Sequence, residues 1–237
     1  MEIGVLGAAA PERTRGRGLW RTLADRLAPT LVFGTLDILV ARVVVDDFKG
    51  ASGGLTLHQT LVLIGATLYF VFVTLMILLF LIRPPARAMD ARASSWVLAM
   101  LGTFGLVIAP LLPHGPVLVR TGTAGEFVQS TVLALALGLA LVTLHTLGHS
   151  FSLTPQARSL VSRGPYRLVR HPLYLCEAMA MLCMTVASGR LTILIVAMAV
   201  LAAQVRRAQL EERLLSKTFP EYEEVFAGVR HFLPGIF

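Results

Sequence analysis

Two stretches near the end of the chain hold most of the residue types that could bind a charged small molecule. Residues 163–174 read RGPYRLVRHPLY, and residues 206–215 read RRAQLEERLL. Pro172 suits the first position of a helix, where its missing N–H costs nothing, so the pattern places His171 at a helix N-terminus. Such a terminus beside arginines attracts anionic groups such as a carboxylate.

A short turn is predicted to bring the two stretches together. Residues 172–187 and 191–205 are apolar and only three residues separate them, which predicts a helical hairpin. The second stretch continues the second arm, so it lies beside the start of the first arm. The residues that the hairpin brings face to face are Arg170, His171 and Tyr174 on one arm and Arg207, Glu211 and Glu212 on the other. We expect a pocket at the membrane surface.

Each stretch also has a plainer interpretation. Loop arginines and an aromatic such as Tyr166 occur at the surface of every membrane protein. The second stretch, taken alone, fits a solvated helix end with salt bridges. Neither interpretation explains Glu177, which follows Tyr174 by three residues and points into an apolar helix. A carboxylate in that position is costly and indicates a function.

The composition predicts that lipid covers much of the chain. Of 237 residues, 55% are hydrophobic and 15% are charged, and the mean hydropathy is +0.72. A soluble domain of this length needs more charge on its surface. The net charge of +7 does not indicate nucleic-acid binding, because the basic residues fall between apolar runs, where they act as topology signals.

Hydropathy predicts an all-α polytopic membrane protein with about six transmembrane helices. The predicted spans are Leu27–Val45, Thr60–Ile82, Ser95–Leu112, Phe127–Leu147, Pro172–Ala187 and Leu191–Val205. Most of the 21 basic residues then fall on one side, which predicts cytoplasmic termini and a cytoplasmic pocket in a multi-pass inner-membrane protein. We divide the chain into a basic N-terminal segment (1–26), a four-span region (27–150) and a cofactor-binding and catalytic region (151–237).

The order and spacing of these motifs resemble a known family. GPYRLVRHPLY, followed some forty residues later by EERLLSKTF and Tyr222, is similar to the isoprenylcysteine carboxyl methyltransferase family. The phospholipid N-methyltransferases are similar too. The resemblance covers residues 150–234, where Arg230 and Pro234 match the closing pattern, and the first four spans carry no matching motif.

The resemblance implies that the pocket binds S-adenosyl-L-methionine. The implied cofactor-binding residues are Tyr166, Arg170, His171, Pro172, Tyr174, Glu177, Glu211 and Glu212. The implied catalytic residues are Arg207, Glu212 and Arg170, with Arg207 orienting a carboxylate of substrate or cofactor. Glutamates suit the ammonium and ribose hydroxyls of this cofactor, and arginines suit its carboxylate.

The function implied is methylation of an oxygen, nitrogen or sulfur atom on a lipophilic or lipid-modified acceptor that reaches the pocket from the bilayer. Two other functions stay open. A membrane reductase of the sterol-reductase type would bind NADPH there, although Glu211 and Glu212 would repel its 2′-phosphate. A transporter would use Asp37 and Arg42 of the first span as its polar core.

Three further pairs of residues invite interpretation. Arg42 is expected to snorkel and Asp37 to face another helix, although a substrate path or proton relay is the alternative. His145 and His149 have the spacing of metal ligands, but no third ligand is near, so a structural helix end is favoured and no metal is expected. Cys176 and Cys183 are not expected to form a disulfide.

Overall fold

The computed structural model describes residues 15–50, 54–90, 92–108, 112–113 and 115–232. Most of the predicted basic segment 1–26 and the predicted motif residue Pro234 lie outside these ranges. The helices within them are α1 (Arg15–Gly50), α2 (Leu57–Ile82), α3 (Ala93–Ile108), α4 (Thr123–Leu147), α5 (Pro172–Ser188), α6 (Leu191–Thr218) and α7 (Tyr222–Val225).

The predicted all-α membrane fold is confirmed. Helices α2, α4 and α6 are long and apolar enough to cross a membrane, and α3 and α5 are shorter apolar helices. Each of the six predicted spans overlaps one of the helices α1 to α6, and the third, Ser95–Leu112, extends beyond α3. Large apolar side chains such as Leu31, Leu135 and Leu182 are exposed, as expected for surfaces that face lipid.

Local sequence explains where the hairpin begins and ends. Pro172 is the first residue of α5, and His171 is its N-cap. Gly189 closes α5 in the left-handed conformation at φ +60°, and a side chain there would collide with the carbonyl oxygen of Val119. Glycine therefore meets both the conformational and the steric requirement of this turn.

The connections between helices sort into two ends of the bundle. Strands β1 (Ala88–Met89) and β2 (Gln156–Ala157) pair antiparallel, so the α2–α3 and α4–α5 connections lie at the same end. Val117 bridges to Arg190 at the opposite end, where the α3–α4 connection meets the hairpin turn. We call the first end the basic end, because it carries the arginine-rich connections 83–92 and 158–170.

The helices surround a central space. Helix α2 packs against α1 and α4, α5 packs against α4 and α6, and α3 packs against α6. The Phe33 ring of α1 stacks on Phe80 of α2 and on Phe104 of α3, with ring centroids 5.9 Å and 5.6 Å apart. Residues from helices α1 to α6 line one cavity of about 620 Å³.

The structure bears on two of the remaining predictions. Asp37 is buried on α1 and accepts a hydrogen bond of 2.8 Å from the Thr74 hydroxyl of α2, so it faces another helix as expected. Arg42 is exposed. Cys176 and Cys183 are free and buried, in agreement with the absence of a disulfide between them.

Candidate functional site

The segment after α7 returns to the start of α5 and covers it. The backbone N–H of Arg170 donates to the Arg230 carbonyl at 2.7 Å, and that of His171 donates to the His231 carbonyl at 3.2 Å. Val169 and Arg230 form a parallel bridge beside these bonds. Residues 226–232 therefore form a wall of the site next to the helix start.

Glu212 of α6 connects the two arms of the hairpin to this returning segment. One of its carboxylate oxygens accepts from His171 Nε2 at 2.8 Å and from His231 Nδ1 at 2.7 Å. Arg170 Nη1 approaches the other oxygen at 3.5 Å. A carboxylate accepts only, so both imidazoles donate, and such charge-assisted bonds are stronger than neutral ones.

Arg170 holds the returning segment through its side chain as well as its backbone. Its Nε donates to the Val229 carbonyl at 2.9 Å, and its Nη2 donates to the Phe226 carbonyl at 3.2 Å. Its guanidinium also lies over the rings of Tyr222 and Phe226, 5.7 Å and 5.9 Å from their centroids. These contacts give Arg170 a structural role in addition to any role in binding.

Tyr174, Glu211 and Arg207 form a second linked group across the hairpin. The Tyr174 hydroxyl donates to Glu211 at 2.7 Å, and the Arg207 guanidinium lies 5.1 Å from the Tyr174 ring centroid. Arg207 is buried and donates from Nη2 to the Leu153 carbonyl at 2.6 Å. The His171 ring stacks between Tyr174 and Phe232, with centroids 5.5 Å and 5.4 Å away.

Two polar atoms close to this group have no hydrogen-bond partner. Gln204 Nε2 donates to Glu177 at 2.9 Å, which leaves Gln204 Oε1 without a donor. Arg207 Nε likewise has no acceptor. Gln204 is 3% exposed and Arg207 is 4% exposed, and both line the cavity. Buried polar atoms are nearly always paired, so this vacant donor and acceptor are suited to a ligand.

The cavity brings together most of the predicted site residues. Those that line it are Tyr166, Arg170, His171, Tyr174, Glu177, Arg207 and Glu211. Pro172 and Glu212 do not line it. Glu212 is hydrogen-bonded to His171, whose ring lines the cavity, and Pro172 is the first residue of α5.

Burial fixes the ionisation of two tyrosines near the site, Tyr166 in the α4–α5 connection and Tyr222 at the start of α7. Burial raises the pKa of Tyr166 far above its usual value, and the carboxylates of Glu211 and Glu177 add to that rise. Burial and the Glu212 carboxylate raise the pKa of Tyr222 to about 12, although Arg170 opposes the shift. Both phenols therefore stay protonated at neutral pH and can donate hydrogen bonds.

Several residues of the site were not predicted. His231, Phe226 and Phe232 arrive on the returning segment, and Gln204 lies one turn before Arg207 on α6. Only two of them had a signal in the sequence: His231 follows Arg230 in the closing pattern, and Gln204 is a polar residue at the end of a predicted span. The aromatic pair had none.

Metal binding receives no support from the described part of the chain, which contains no group of three or more histidine, cysteine or acidic side chains placed to hold an ion. His145 lies in the last turn of α4, and His149 lies in the short 3-10 helix that follows. Neither residue lines the large cavity.

Residues 126–222 match the phospholipid methyltransferase family. The resemblance predicted from the sequence is confirmed over this segment, which takes in most of α4 and all of α5 and α6. The match begins earlier than the predicted position 150, so it crosses the predicted boundary between regions, and that boundary stays a prediction.

Two curated relatives are similar to part of the chain. The cobalt-zinc-cadmium resistance protein CzcN of Cupriavidus metallidurans is 33% identical over 117 residues, which are 47% of this chain and 53% of that protein. The nickel-cobalt-cadmium resistance protein NccN of Alcaligenes xylosoxydans xylosoxydans is 32% identical over 109 residues, which are 43% and 50% of the two chains. The chain thus spans about half the length of the curated relatives it matches.

Proposed function

We propose that this membrane protein transfers the methyl group of S-adenosyl-L-methionine to a lipophilic acceptor that enters from the bilayer. The observation that carries the proposal is the cavity of about 620 Å³, which has charged residues at its basic end and apolar residues from α1, α2 and α4 elsewhere. One reactant of this reaction is charged and the other is apolar. A cavity with these two environments suits both.

The charged end offers a partner for each polar group of the cofactor. Glu211, held by Tyr174, is suited to an ammonium group or to ribose hydroxyls. The vacant Nε of Arg207 is suited to an anionic oxygen, as is the helix start at His171. When bound, S-adenosyl-L-methionine supplies an electrophilic methyl group on a sulfonium. The residues contribute binding and orientation, which can provide much of the acceleration.

The rest of the cavity is suited to the acceptor. Phe33 and Leu36 of α1, Val73 and Met76 of α2, and Ala140 of α4 line it. These side chains exclude water and favour an apolar chain. Gln204 and Glu177 lie between the two environments, and their oxygens are suited to a head group that donates a hydrogen bond. The methylated atom stays open among oxygen, nitrogen and sulfur.

The positive-inside rule supports an inner-membrane orientation with the basic end in the cytoplasm. S-adenosyl-L-methionine is then taken directly from the cytoplasm. The reductase alternative receives less support, because Glu177 and Glu211 line the cavity, where they would repel the phosphates of NADPH. The transporter alternative receives less support, since Asp37 accepts a hydrogen bond from Thr74 and does not line the cavity.

Calorimetry on the purified protein in neutral detergent tests the cofactor. We expect S-adenosyl-L-methionine to bind the wild type, and Glu211→Gln to weaken that binding about tenfold, since a hydrogen bond to a charged group contributes about 1.5–3 kcal/mol. Glu224→Gln is the matched control, because Glu224 is exposed on α7 and does not line the cavity. Absence of binding at millimolar cofactor would refute the proposal, and binding of NADPH instead would favour the reductase.

A further inference from the structure

A second cavity, of about 580 Å³, lies at the basic end between the last turns of α2 and α4 and residues 159–163. It adjoins the large cavity and shares part of its lining. The residues that line both are Leu147, Ser150, Ser159, Leu160 and Val161. The proposed function gives this second cavity no role. His145 and His149, the pair that the sequence singled out, both line it.

The polar part of this lining is basic or neutral. His145, His149 and Arg163 supply imidazole and guanidinium groups, and Ser150, Ser159 and Ser162 supply hydroxyls. No carboxylate lines the cavity within the described residues. All these groups can donate hydrogen bonds, and at least one carries a permanent positive charge. Donors without a neighbouring carboxylate are suited to an anion.

The three basic side chains are available for such a ligand. Among the described residues, no side-chain hydrogen bond or ion pair engages His145, His149 or Arg163. All three residues are exposed, so a ligand can reach them. The Ser150 and Ser159 hydroxyls hydrogen-bond to each other, which holds the turn after α4 against the connection that leads to α5.

The apolar and basic parts of the lining lie at different depths, which defines the orientation of a ligand. Leu75 and Leu79 lie one turn apart on α2, deeper in the bundle than the helix end at Ile82. His145 lies in the last turn of α4, where the chain leaves its apolar segment. Apolar side chains thus lie toward the hydrocarbon and basic side chains toward the water. A phospholipid has the same order of groups along the membrane normal.

We propose that this cavity binds the phosphate group of a membrane phospholipid, with the phosphate against His149, Arg163 and His145 and an acyl chain along Leu75 and Leu79. The bound lipid is distinct from the methyl acceptor. The proposal does not depend on methyl transfer, since it rests on a different set of side chains in a different cavity. Arginine and histidine beside a phosphate form charge-assisted hydrogen bonds.

The test compares three soluble probes on protein purified in neutral detergent: dihexanoylphosphatidic acid, dihexanoylglycerol and inorganic phosphate. Calorimetry measures each affinity for the wild type and for the double variant His149→Asn/Arg163→Gln. We expect phosphatidic acid to bind, and the double variant to bind it at least about tenfold more weakly. Arg167→Gln is the control, because Arg167 is an exposed arginine of the same connection that lines neither cavity.

Three results would overturn the proposal. Equal affinity for dihexanoylglycerol would show that the phosphate is not recognised. Equal affinity of the wild type and the double variant would show that the cavity is not the site. Inorganic phosphate binding as tightly as phosphatidic acid would show a free-anion site in place of a lipid site. If the double variant unfolds, His145→Asn replaces it, and an affinity within twofold of the wild type would then count against the site.

Discussion

The two environments of the large cavity are built in different ways. At the basic end, directional bonds fix each functional side chain: Glu212 holds two imidazoles at 2.8 and 2.7 Å, and Tyr174 donates to Glu211 at 2.7 Å. In the apolar part, Phe33 and Val73 line open space, and nothing but packing fixes their positions. The basic end is suited to one arrangement of polar groups in a ligand, whereas the apolar part mainly limits the volume of a ligand.

This difference predicts different responses to substitution. Losing one partner from a buried charged group leaves the other unpaired, which costs several kcal/mol. Changing the volume of an apolar cavity has a smaller effect that depends on the ligand. We therefore expect changes at the basic end to affect both cofactor binding and turnover. Changes in the apolar part should affect turnover alone.

The largest effect is expected for Arg207→Leu. This change removes the guanidinium over the Tyr174 ring and leaves the Leu153 carbonyl without its 2.6 Å donor, beside the carboxylates of Glu177 and Glu211. We expect transfer of radiolabelled methyl groups from S-adenosyl-L-methionine to a membrane lipid extract to fall about 100-fold or more.

Arg206→Gln is the matched control, because Arg206 is the neighbouring residue, is exposed and bonds only to Gln209 among the described residues. It should keep transfer within about twofold, as surface changes usually do. If the two variants lose equal activity, net charge at the end of α6 matters and the buried geometry does not.

A smaller effect is expected for Gly65→Leu, which adds volume to the apolar part. Gly65 of α2 lines the cavity, and open space lies where its Cβ would stand. We expect lipid methylation to fall about tenfold, as for overpacking, with cofactor affinity unchanged. Gly34→Leu is the control, since Gly34 also has open space at its Cβ but does not line the cavity. Equal losses in both variants, or a loss of cofactor affinity, would contradict a separate acceptor region.

Gly102→Ala tests the boundary between the two environments. A Cβ on Gly102 of α3 would lie 2.9 Å from Arg207 Nη1, so the guanidinium must move. We expect methyl transfer to fall about fivefold, at the lower end of overpacking costs. Gly138→Ala, on α4 with open space around its Cβ, should leave transfer unchanged. Full activity in Gly102→Ala would show that Arg207 tolerates displacement.

The polar environment could largely be predicted from the sequence, for a physical reason. Charged residues beside apolar helices are rare. A short hairpin turn at Gly189 also places the start of α5 beside the polar continuation of α6. Pro172 and His171 stand where the pattern places them, and the tail of α6 continues the span through Glu211 and Glu212. Local rules and one tight turn were sufficient for this part.

The remainder depends on contacts that have no local signature. His231 reaches Glu212 only because residues 226–232 return along the chain before α5, and backbone bonds such as Arg170 to Arg230 fix that path. The apolar part arises where α1, α2 and α4 meet, and any apolar helix can supply such side chains. A pattern of leucines and valines cannot indicate which faces enclose a cavity and which face lipid.

The smallest effect is expected for Asp90→Asn, before the start of α3, the helix that carries Gly102. Asp90 accepts from the Arg92 side chain at 2.6 Å and from the buried Ser95 hydroxyl at 2.7 Å, and these bonds hold the pKa of Asp90 well below its usual range. A carboxyl with a lowered pKa stabilises the fold above its unfolded pKa, near 3.9. That contribution disappears as the pH falls through the lower, folded value.

The wild type should therefore exceed Asp90→Asn in thermal stability at pH 7. The difference should be small because Arg92 is exposed, and it should narrow below about pH 4. Glu224→Gln should show no such narrowing, and a gap that stays constant with pH would mean that the Asp90 carboxylate does not anchor α3.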